Sequence, residues 1–280
     1  AEQIQTQGAP LAGIFSASTG GVLAYQTGTG GAGFQLEWFD RAGKQSGVLG
    51  DSAAYSDLAL SPDGKRAVVS IPDQAGRRDL WVYDVARGLR TRLTFDPGTE
   101  VASVWSSDGS RIIFNSNRKG HYDLYQKAAN GAGAEEVILE DNLDKYPVSW
   151  SSDGRFLLYR TIGAPTGADL FVLPLSGDPS TSSLRGSGQA GQVRKAVPFI
   201  NTQFAENYGQ FSPDGRWVAY VSNESGTGEV YVAPFPGPGG KWQISTGGGT
   251  MPRWRRDGTE IFYLAADRKL MAAAVNGKSG

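Results

Sequence analysis

The 280-residue sequence has no cysteine and a single histidine, His121, and these scarcities narrow its chemistry. The chain can form neither disulfides nor thiolate metal sites, nor a metal centre held by several histidines. No apolar run approaches the roughly 20 residues of a membrane-spanning helix, and the N-terminus lacks the features of a signal peptide. The formal net charge is only −1, which argues against nucleic-acid binding. We therefore expect no metal ion, no cofactor, no nucleic-acid partner and no membrane insertion by this segment.

Glycine is abundant, with 39 residues, and part of it belongs to a repeated turn. A large apolar residue, a polar residue and an Asp-Gly turn recur about 45 residues apart, a period typical of repeat architectures. In such a turn the aspartate bonds nearby backbone amides and the glycine accepts a positive φ. We therefore interpret the aspartates as turn residues and not as a carboxylate array. They are Asp63, Asp108, Asp153, Asp214 and Asp257, and a degenerate copy without the aspartate, "FSASTGG", begins at Phe15.

A second signature, such as "DLWVYD" at 79–84 and "DLFVLP" at 169–174, follows every turn at a nearly constant distance. Each unit is predicted to form four short strands, because β-branched and aromatic residues alternate with turn clusters. Six such units predict an all-β fold, a six-bladed β-propeller of four-stranded blades. The last unit has only three strands, so residues 1–6 are predicted to complete it beside 269–275. The blades are expected at about 13–50, 55–95, 101–140, 145–200, 207–246 and 250–275 plus 1–6, in a single domain over 1–280.

Two further expectations follow from this repeat. The large apolar residue before each turn should pack between neighbouring blades, because repeat units bury their core only against each other. A Ser/Gly-rich insertion, 176–195, should form a mobile surface loop between the third and fourth strands of the fourth blade. The apolar residues concerned are Phe15, Leu60, Trp105, Trp150, Phe211 and Trp254.

Two motifs that suggest phosphate chemistry conflict with the repeat. "GTGGAG" at 28–33 matches a dinucleotide fingerprint, but the residues after it predict a strand where that fingerprint needs a helix. We predict a surface hairpin loop. "HYDLYQKAAN" at 121–130 resembles a kinase catalytic loop, yet Ala128 stands where that loop has asparagine. Asp123 is instead a repeat position, and His121 is predicted to be an exposed loop residue.

The repeat resembles the PD40 (WD40-like) blade of TolB-like β-propellers, on segments such as "SNRKGHYDLYQ" and "SPDGRWVAYVSNESGTGEVYV". More closely, "YSDLALSPDGKRAVVS" and "VYVAPFPGPGGKWQIS" are similar to the C-terminal propeller of bacterial eukaryotic-like Ser/Thr kinases. This resemblance covers nearly the whole chain. It implies an extracytoplasmic, non-catalytic sensor or interaction module of a larger bacterial signalling protein.

Candidate binding residues come from the loops before the first strands, which share one face of a propeller. These loops are rich in acidic residues and tyrosines and contain one basic residue, Lys145. Such a mouth suits a protein, a peptide or a small polar or cationic ligand. The leading residues are Tyr55, Glu100, Tyr146, Glu206 and Tyr208.

No nucleophile, base and orienting group occur together, so we expect a monomeric binding module that is not an enzyme. Two alternatives stay open. One is a carbohydrate-active hydrolase or lyase, in which a glycosidase would need two carboxylates about 5 to 9.5 Å apart. The other is the gating propeller of a serine peptidase, whose hydrolase domain would have to lie outside this sequence.

Overall fold

A computed structural model describes residues 15–17, 23–27, 33–39, 44–164, 167–175, 195–237 and 239–275. Every regular element in these residues is a β-strand, so the all-β prediction is confirmed. No helix in this part of the chain is long and apolar enough to cross a membrane. The chain divides into two compact units, Ala1–Glu140 and Asp141–Gly280.

Unit 1 (Ala1–Glu140) contains three antiparallel sheets, each built from four strands that follow one another in the chain. The first sheet consists of β1 (Phe15–Ala17), β2 (Leu23–Thr27), β3 (Phe34–Phe39) and β4 (Gln45–Ala53). The second consists of β5 (Leu58–Leu60), β6 (Arg66–Pro72), β7 (Arg78–Asp84) and β8 (Leu89–Arg92). The third consists of β9 (Glu100–Trp105), β10 (Arg111–Ser116), β11 (Asp123–Ala128) and β12 (Glu136–Leu139).

The described residues of unit 2 (Asp141–Gly280) form two sheets of four strands and one of three. The fourth sheet of the chain consists of β13 (Asp144–Trp150), β14 (Phe156–Ala164), β15 (Gly167–Pro174) and β16 (Val197–Ile200). The fifth consists of β17 (Glu206–Phe211), β18 (Trp217–Ser222), β19 (Glu229–Pro234) and β20 (Trp242–Gln243). The last consists of β21 (Gly249–Trp254), β22 (Glu260–Ala265) and β23 (Leu270–Ala274).

The predicted number of six four-stranded blades is wrong. Within the described ranges five sheets form complete four-stranded blades, whereas β21 to β23 form a sheet of three strands. The repeated turn connects only the first and second strands of each sheet, and such a hairpin does not guarantee that a fourth strand follows. The predicted fourth strand, residues 1–6, lies outside the described residues. The single domain predicted over 1–280 stays a prediction.

The cores lie between sheets that follow one another within a unit. In unit 1, Leu36 of the first sheet and Val69 of the second share one cluster, and Leu80 and Phe114 join the second sheet to the third. The prediction that the large residues before the turns pack between neighbouring sheets is therefore confirmed for those that are buried. These are Leu60, Trp105 and Phe211; Trp150 and Trp254 are half-buried, and nothing is described of the Phe15 side chain.

The five Asp-Gly turns are structural, as predicted. In the third sheet, Asp108 Oδ1 accepts hydrogen bonds from the hydroxyl of Ser106 (2.6 Å) and the amide of Ser110 (2.9 Å). The following Gly109 has a φ of 68°, which glycine adopts without strain. Ser106 also accepts the amide of Arg111, so its hydroxyl closes the hairpin from within. The aspartates are used to hold the turn and do not form a carboxylate array.

The two loop predictions have different outcomes. Strands β2 and β3 pair as an antiparallel hairpin, with Thr27 opposite Gln35, so the glycines 28–33 connect two strands and no helix follows them. The hairpin prediction is confirmed, although 28–32 themselves lie outside the described residues. The Ser/Gly-rich insertion, 176–195, lies between β15 and β16, which pair as the third and fourth strands of the fourth sheet. Residues 176–194 also lie outside the described residues.

Candidate functional site

Three of the five predicted binding residues hold one position of the repeat, at the start of or just before the first strand. Tyr55, Glu100 and Glu206 are all fully buried there. Lys145 holds the same position in the fourth sheet and is fully buried too. These side chains lie beneath the surface, so we assign them a supporting role and look for contact residues around them.

Tyr55 is held by hydrogen bonds inside unit 1. Its hydroxyl donates to the carbonyl of Asp51 (2.5 Å) and lies 3.1 Å from the hydroxyl of Tyr83. Arg90 donates to that same Tyr83 hydroxyl at 3.1 Å. Burial raises the pKa of Tyr55 well above its ordinary value, and its bond to Tyr83 acts in the same direction. Tyr55 is therefore a neutral core residue.

Glu100 begins β9 and is opposite Ser116 of β10. Its Oε1 accepts the Ser116 hydroxyl at 2.7 Å, and Arg118 Nη2 lies 3.5 Å from the same oxygen. Its buried Oε2 has no hydrogen-bond partner within the described part of the chain. Burial raises the pKa of Glu100 to about 7, although Ser116 and Arg118 both act to lower it. This carboxyl group therefore exchanges a proton near neutral pH.

Arg118 joins Glu100 to the surface. Its guanidinium forms ion pairs with Asp96 (3.1 Å) and Glu135 (2.5 Å) besides its longer contact with Glu100. Its Nε donates to the Ser116 hydroxyl at 2.9 Å, and the guanidinium lies 4.1 Å from the centre of the Tyr125 ring. With three carboxylates and a ring around it, Arg118 is held in one orientation.

An open pocket lies over this network, and we call it the Arg118 pocket. Phe95 stands at its edge with 66% of its surface exposed, which is unusual for a phenylalanine. Two cations flank that ring, Arg92 at 5.0 Å and Lys127 at 5.7 Å from its centre. The pocket therefore offers an apolar face between fixed charges of both signs. Its lining residues are Phe95, Asp96, Pro97, Arg118, Lys127 and Glu135.

Glu206 begins β17 in unit 2, opposite Ser222 of β18. Its Oε1 accepts the Thr202 hydroxyl at 2.6 Å, and its Oε2 has no hydrogen-bond partner among the described residues. Burial raises its pKa, as it does for Glu100, but no arginine contributes. Glu206 is thus the counterpart of Glu100, with no arginine paired to it in the described part of unit 2.

Tyr146 and Tyr208, the other two predicted residues, are half-buried and share a neighbour that the sequence analysis did not single out. Arg160 of β14 lies over the Tyr146 ring, 4.7 Å from its centre, and donates from Nη1 to Asn207 Oδ1 at 2.8 Å. Burial lowers the pKa of Arg160, and the nearby Tyr208 acts in the opposite direction by favouring the charged guanidinium. The structure therefore gathers Tyr146, Asn207 and Tyr208 around a guanidinium.

The sequence analysis missed the basic side chains of the Arg118 pocket and the arginine between Tyr146 and Tyr208. It considered the loops before the first strands, where Lys145 is the one basic residue, whereas Arg118, Lys127 and Arg160 come from or follow the second and third strands. The signal was present, because the second-strand position of Arg160 is Ser70, Asn115, Val221 and Leu264 in other repeats. An arginine that the repeat does not require indicates a local role.

The described residues hold no group of three or more histidine, aspartate or glutamate side chains that could bind a metal ion. His121 is exposed, in the turn before β11. Asp123, from the kinase-like motif, is buried at the start of β11 and pairs in register with Ser116. The pocket carboxylates Asp96 and Glu135 are engaged in ion pairs with Arg118.

Comparison with known proteins agrees with this architecture. The PD40 family model, the TolB beta propeller domain, matches residues 41–168. The Tol-Pal system protein TolB of Helicobacter pylori is 30% identical over 164 residues, which cover 58% of this chain and 36% of that protein. The chain spans about half the length, or less, of the curated relatives it matches.

Two solved structures are similar in fold. A putative TolB from Agrobacterium tumefaciens aligns with a TM-score of 0.65 at 19% identity, over 94% of this chain and 90% of that one. The β-propeller domain of the Trilobed protease from Pyrococcus furiosus aligns with a TM-score of 0.61 at 13% identity, over 95% and 81%. At these identities the likeness shows the fold alone.

The blade repeat, the PD40 match and the TolB relatives agree with one another, whereas the closer likeness to kinase propellers stays a prediction. The chain is similar to PD40, TolB-like β-propellers, with the family model matching residues 41–168.

Proposed function

We propose that this protein is a non-catalytic binding module that recognises a protein or peptide partner through the Arg118 pocket. The observation that carries this proposal is the exposed ring of Phe95 beside an ordered charge network. Protein interfaces obtain most of their affinity from a few aromatic and arginine anchors that become desolvated on binding. Phe95 is such an anchor, and Arg92 and Lys127 on either side of it supply polar contacts at the rim.

The pocket is suited to recognition and not to turnover. Asp96 and Glu135 are both held by Arg118, and Lys127 lies 3.5 Å from Glu135. A general base needs an available lone pair near the reacting atom, and carboxylates neutralised by ion pairs are poor bases. We therefore propose binding without chemistry, with Glu100 as the buried support of Arg118 and Tyr55 and Glu206 as core residues of their sheets.

The wider context is also part of the proposal. We propose an extracytoplasmic module, the sensor or interaction part of a larger bacterial signalling protein, because the chain is TolB-like and resembles the propellers of receptor-type kinases. A gene that encodes this sequence together with a kinase domain and a membrane helix would support this context. A gene that places the chain beside a hydrolase domain would favour the gating propeller of a peptidase.

The binding function can be tested with a display library of short random peptides panned against the immobilised chain. We expect enriched peptides whose binding to wild type, measured by fluorescence polarisation, weakens at least about tenfold in Phe95→Ala. Leu89→Ala is the matched control, because Leu89 of β8 is equally exposed (67%) but does not line the pocket. Enrichment that is lost in Leu89→Ala and kept in Phe95→Ala would contradict the assignment, as would a library with no enriched sequence.

A further inference from the structure

A second place in the molecule, in unit 2, has the features of a binding site. Arg160 lies in the middle of β14, opposite Tyr146 of β13 and Leu170 of β15. Its guanidinium carries five N–H donors. Among the described residues one hydrogen bond is recorded for it, from Nη1 to Asn207 Oδ1 at 2.8 Å. Its other N–H groups have no hydrogen-bond acceptor among the described residues, and none of its nitrogens is a buried atom without a partner, so they are open to an incoming acceptor.

The charge of Arg160 has no counter-charge among the described residues. No ion pair to Arg160 is found in the described part of the chain, and the influences on its pKa are burial, which lowers it, and the two tyrosines, which raise it. Taking a charge out of water costs free energy unless a counter-charge or hydrogen bonds replace the water. Binding of an anion beside this half-buried guanidinium would therefore stabilise it.

The neighbouring strand holds the remaining groups in place. Gly209 of β17 approaches the fourth sheet so closely that a Cβ there would lie 2.5 Å from Leu158 Cδ2. Tyr208 has a φ of 54°, a costly conformation for a tyrosine, and the pairing of β17 with β18 shifts between Asn207 and Gln210. This irregularity belongs to the repeat, since Ala102 and Met251 share it. It fixes Asn207 and Tyr208 beside Arg160.

We propose that Arg160, with Tyr146, Asn207 and Tyr208, forms a binding site for the carboxylate of an organic molecule. A guanidinium fork matches a carboxylate with two parallel hydrogen bonds. Asn207 uses its carbonyl oxygen to hold Arg160, so its NH₂ group can donate as well. The tyrosine rings favour a ligand whose carboxylate is attached to an apolar body, in preference to a strongly hydrated inorganic anion. This site is independent of the Arg118 pocket and of its proposed function.

The carboxylate could belong to a free small acid or to the C-terminus of a peptide. We would therefore titrate the chain with benzoate and, separately, with a tripeptide ending in phenylalanine, by isothermal titration calorimetry. Benzamide and the C-terminally amidated tripeptide are the neutral controls. Binding of a carboxylate form without its neutral counterpart supports the site, and the tighter of the two carboxylates identifies the source.

The protein variants make the test specific. We expect Arg160→Met to weaken carboxylate binding at least about tenfold, and Arg160→Lys to weaken it less, because lysine keeps the charge but loses the fork. Arg216→Met is the matched control, since Arg216 is an exposed arginine of the same unit paired with Asp214. Urea unfolding of each variant confirms that it is folded.

Three results would overturn the proposal. They are equal affinity in wild type and Arg160→Met, binding of benzamide as tight as that of benzoate, and displacement of benzoate by inorganic phosphate at lower concentrations than benzoate itself requires. Binding of random peptides at the Arg118 pocket is measured separately, so failure of one assignment leaves the other standing.

Discussion

Arg118 in unit 1 and Arg160 in unit 2 are similar in packing and opposite in electrostatics. Each guanidinium lies over a tyrosine ring, Tyr125 at 4.1 Å and Tyr146 at 4.7 Å. Arg118 is surrounded by three carboxylates, whereas Arg160 has the amide oxygen of Asn207. The same repeat therefore builds one arginine among carboxylates and one whose contacts in the described residues are an amide oxygen and a tyrosine ring.

The buried glutamates show the same difference between the units. Glu100 and Glu206 begin equivalent strands, and each has one oxygen bonded to a hydroxyl and one without a hydrogen-bond partner in the described residues. Among the described residues, an arginine pairs with Glu100 and none is found to pair with Glu206. This repeat position is therefore buried in both sheets, whereas the charged groups around it differ from sheet to sheet.

The largest expected effect concerns the packing that both units share. Trp105 Nε1 donates to the carbonyl of Ala59 (2.9 Å) and Trp254 Nε1 to the carbonyl of Gln210 (3.2 Å), so each indole ties its sheet to the preceding one. Trp105 is 7% exposed and Trp254 is half-buried. Trp105→Ala should lower the free energy of unfolding by about 3–5 kcal/mol, and Trp254→Ala by less. Urea denaturation measures both, and a larger loss in Trp254→Ala would contradict the equivalence.

Replacing the two arginines tests their difference directly. Arg118→Met removes the cation that contacts Asp96, Glu100 and Glu135 and should cost about 3 kcal/mol of unfolding free energy. Arg160→Met keeps the apolar stem over Tyr146 and removes an uncompensated charge, so it should change stability by less than about 1 kcal/mol. Equal losses in urea denaturation at neutral pH would show that Arg160 has a structural counter-charge after all.

The pH dependence of stability should differ between wild type and Glu100→Gln. Because the pKa of Glu100 is about 7 in the folded protein and ordinarily 4.5, the folded state holds an extra proton between these values. Its contribution to stability is complete below pH 4.5 and is lost as pH rises through about 7, with a slope of at most about 1.4 kcal/mol per pH unit.

Glu100→Gln should remove this slope, which is measured as the difference between the wild-type and variant unfolding curves from acid to neutral pH. Glu206→Gln, the matched variant of unit 2, should act in the same direction because burial raises that pKa too. A difference of opposite sign, with wild type gaining stability over the variant as pH rises, would mean that Arg118 outweighs burial at Glu100.

The smallest expected effect concerns the turns. Asp108→Ala removes the bonds from Ser106 and Ser110 and should cost about 1 kcal/mol at neutral pH. These bonds hold the pKa of Asp108 at about 2, so the difference from wild type should shrink as pH falls through that value. Asp257→Ala should cost less, because Arg255 stands there in place of the turn serine. Equal losses of unfolding free energy in Asp108→Ala and Asp257→Ala would show that the serine hydroxyl does not contribute to the difference.

Sequence reasoning predicted the parts of this protein that depend on local chemistry. The turn at Asp108, the strand hairpin around the glycines 28–33 and the interior position of Trp105 follow from turn geometry, strand phase and the recurrence of one residue type. The number of complete blades did not follow, because it depends on whether each unit finds a fourth strand, and hairpin signals carry no information about that pairing.

The candidate sites combine residues that the sequence analysis named with residues that it did not. Loop composition directed attention to Glu100, Tyr146 and Tyr208. It could not show that Glu100 is buried, or that Arg118 and Arg160 reach these residues from a second strand or the turn after it. The sequence by itself determined the repeat, its turns and which residues are apolar, since these are properties of neighbouring residues. Only the tertiary structure decided which charges meet, because the pKa values of Glu100 and Arg160 depend on what other strands bring within a few ångströms.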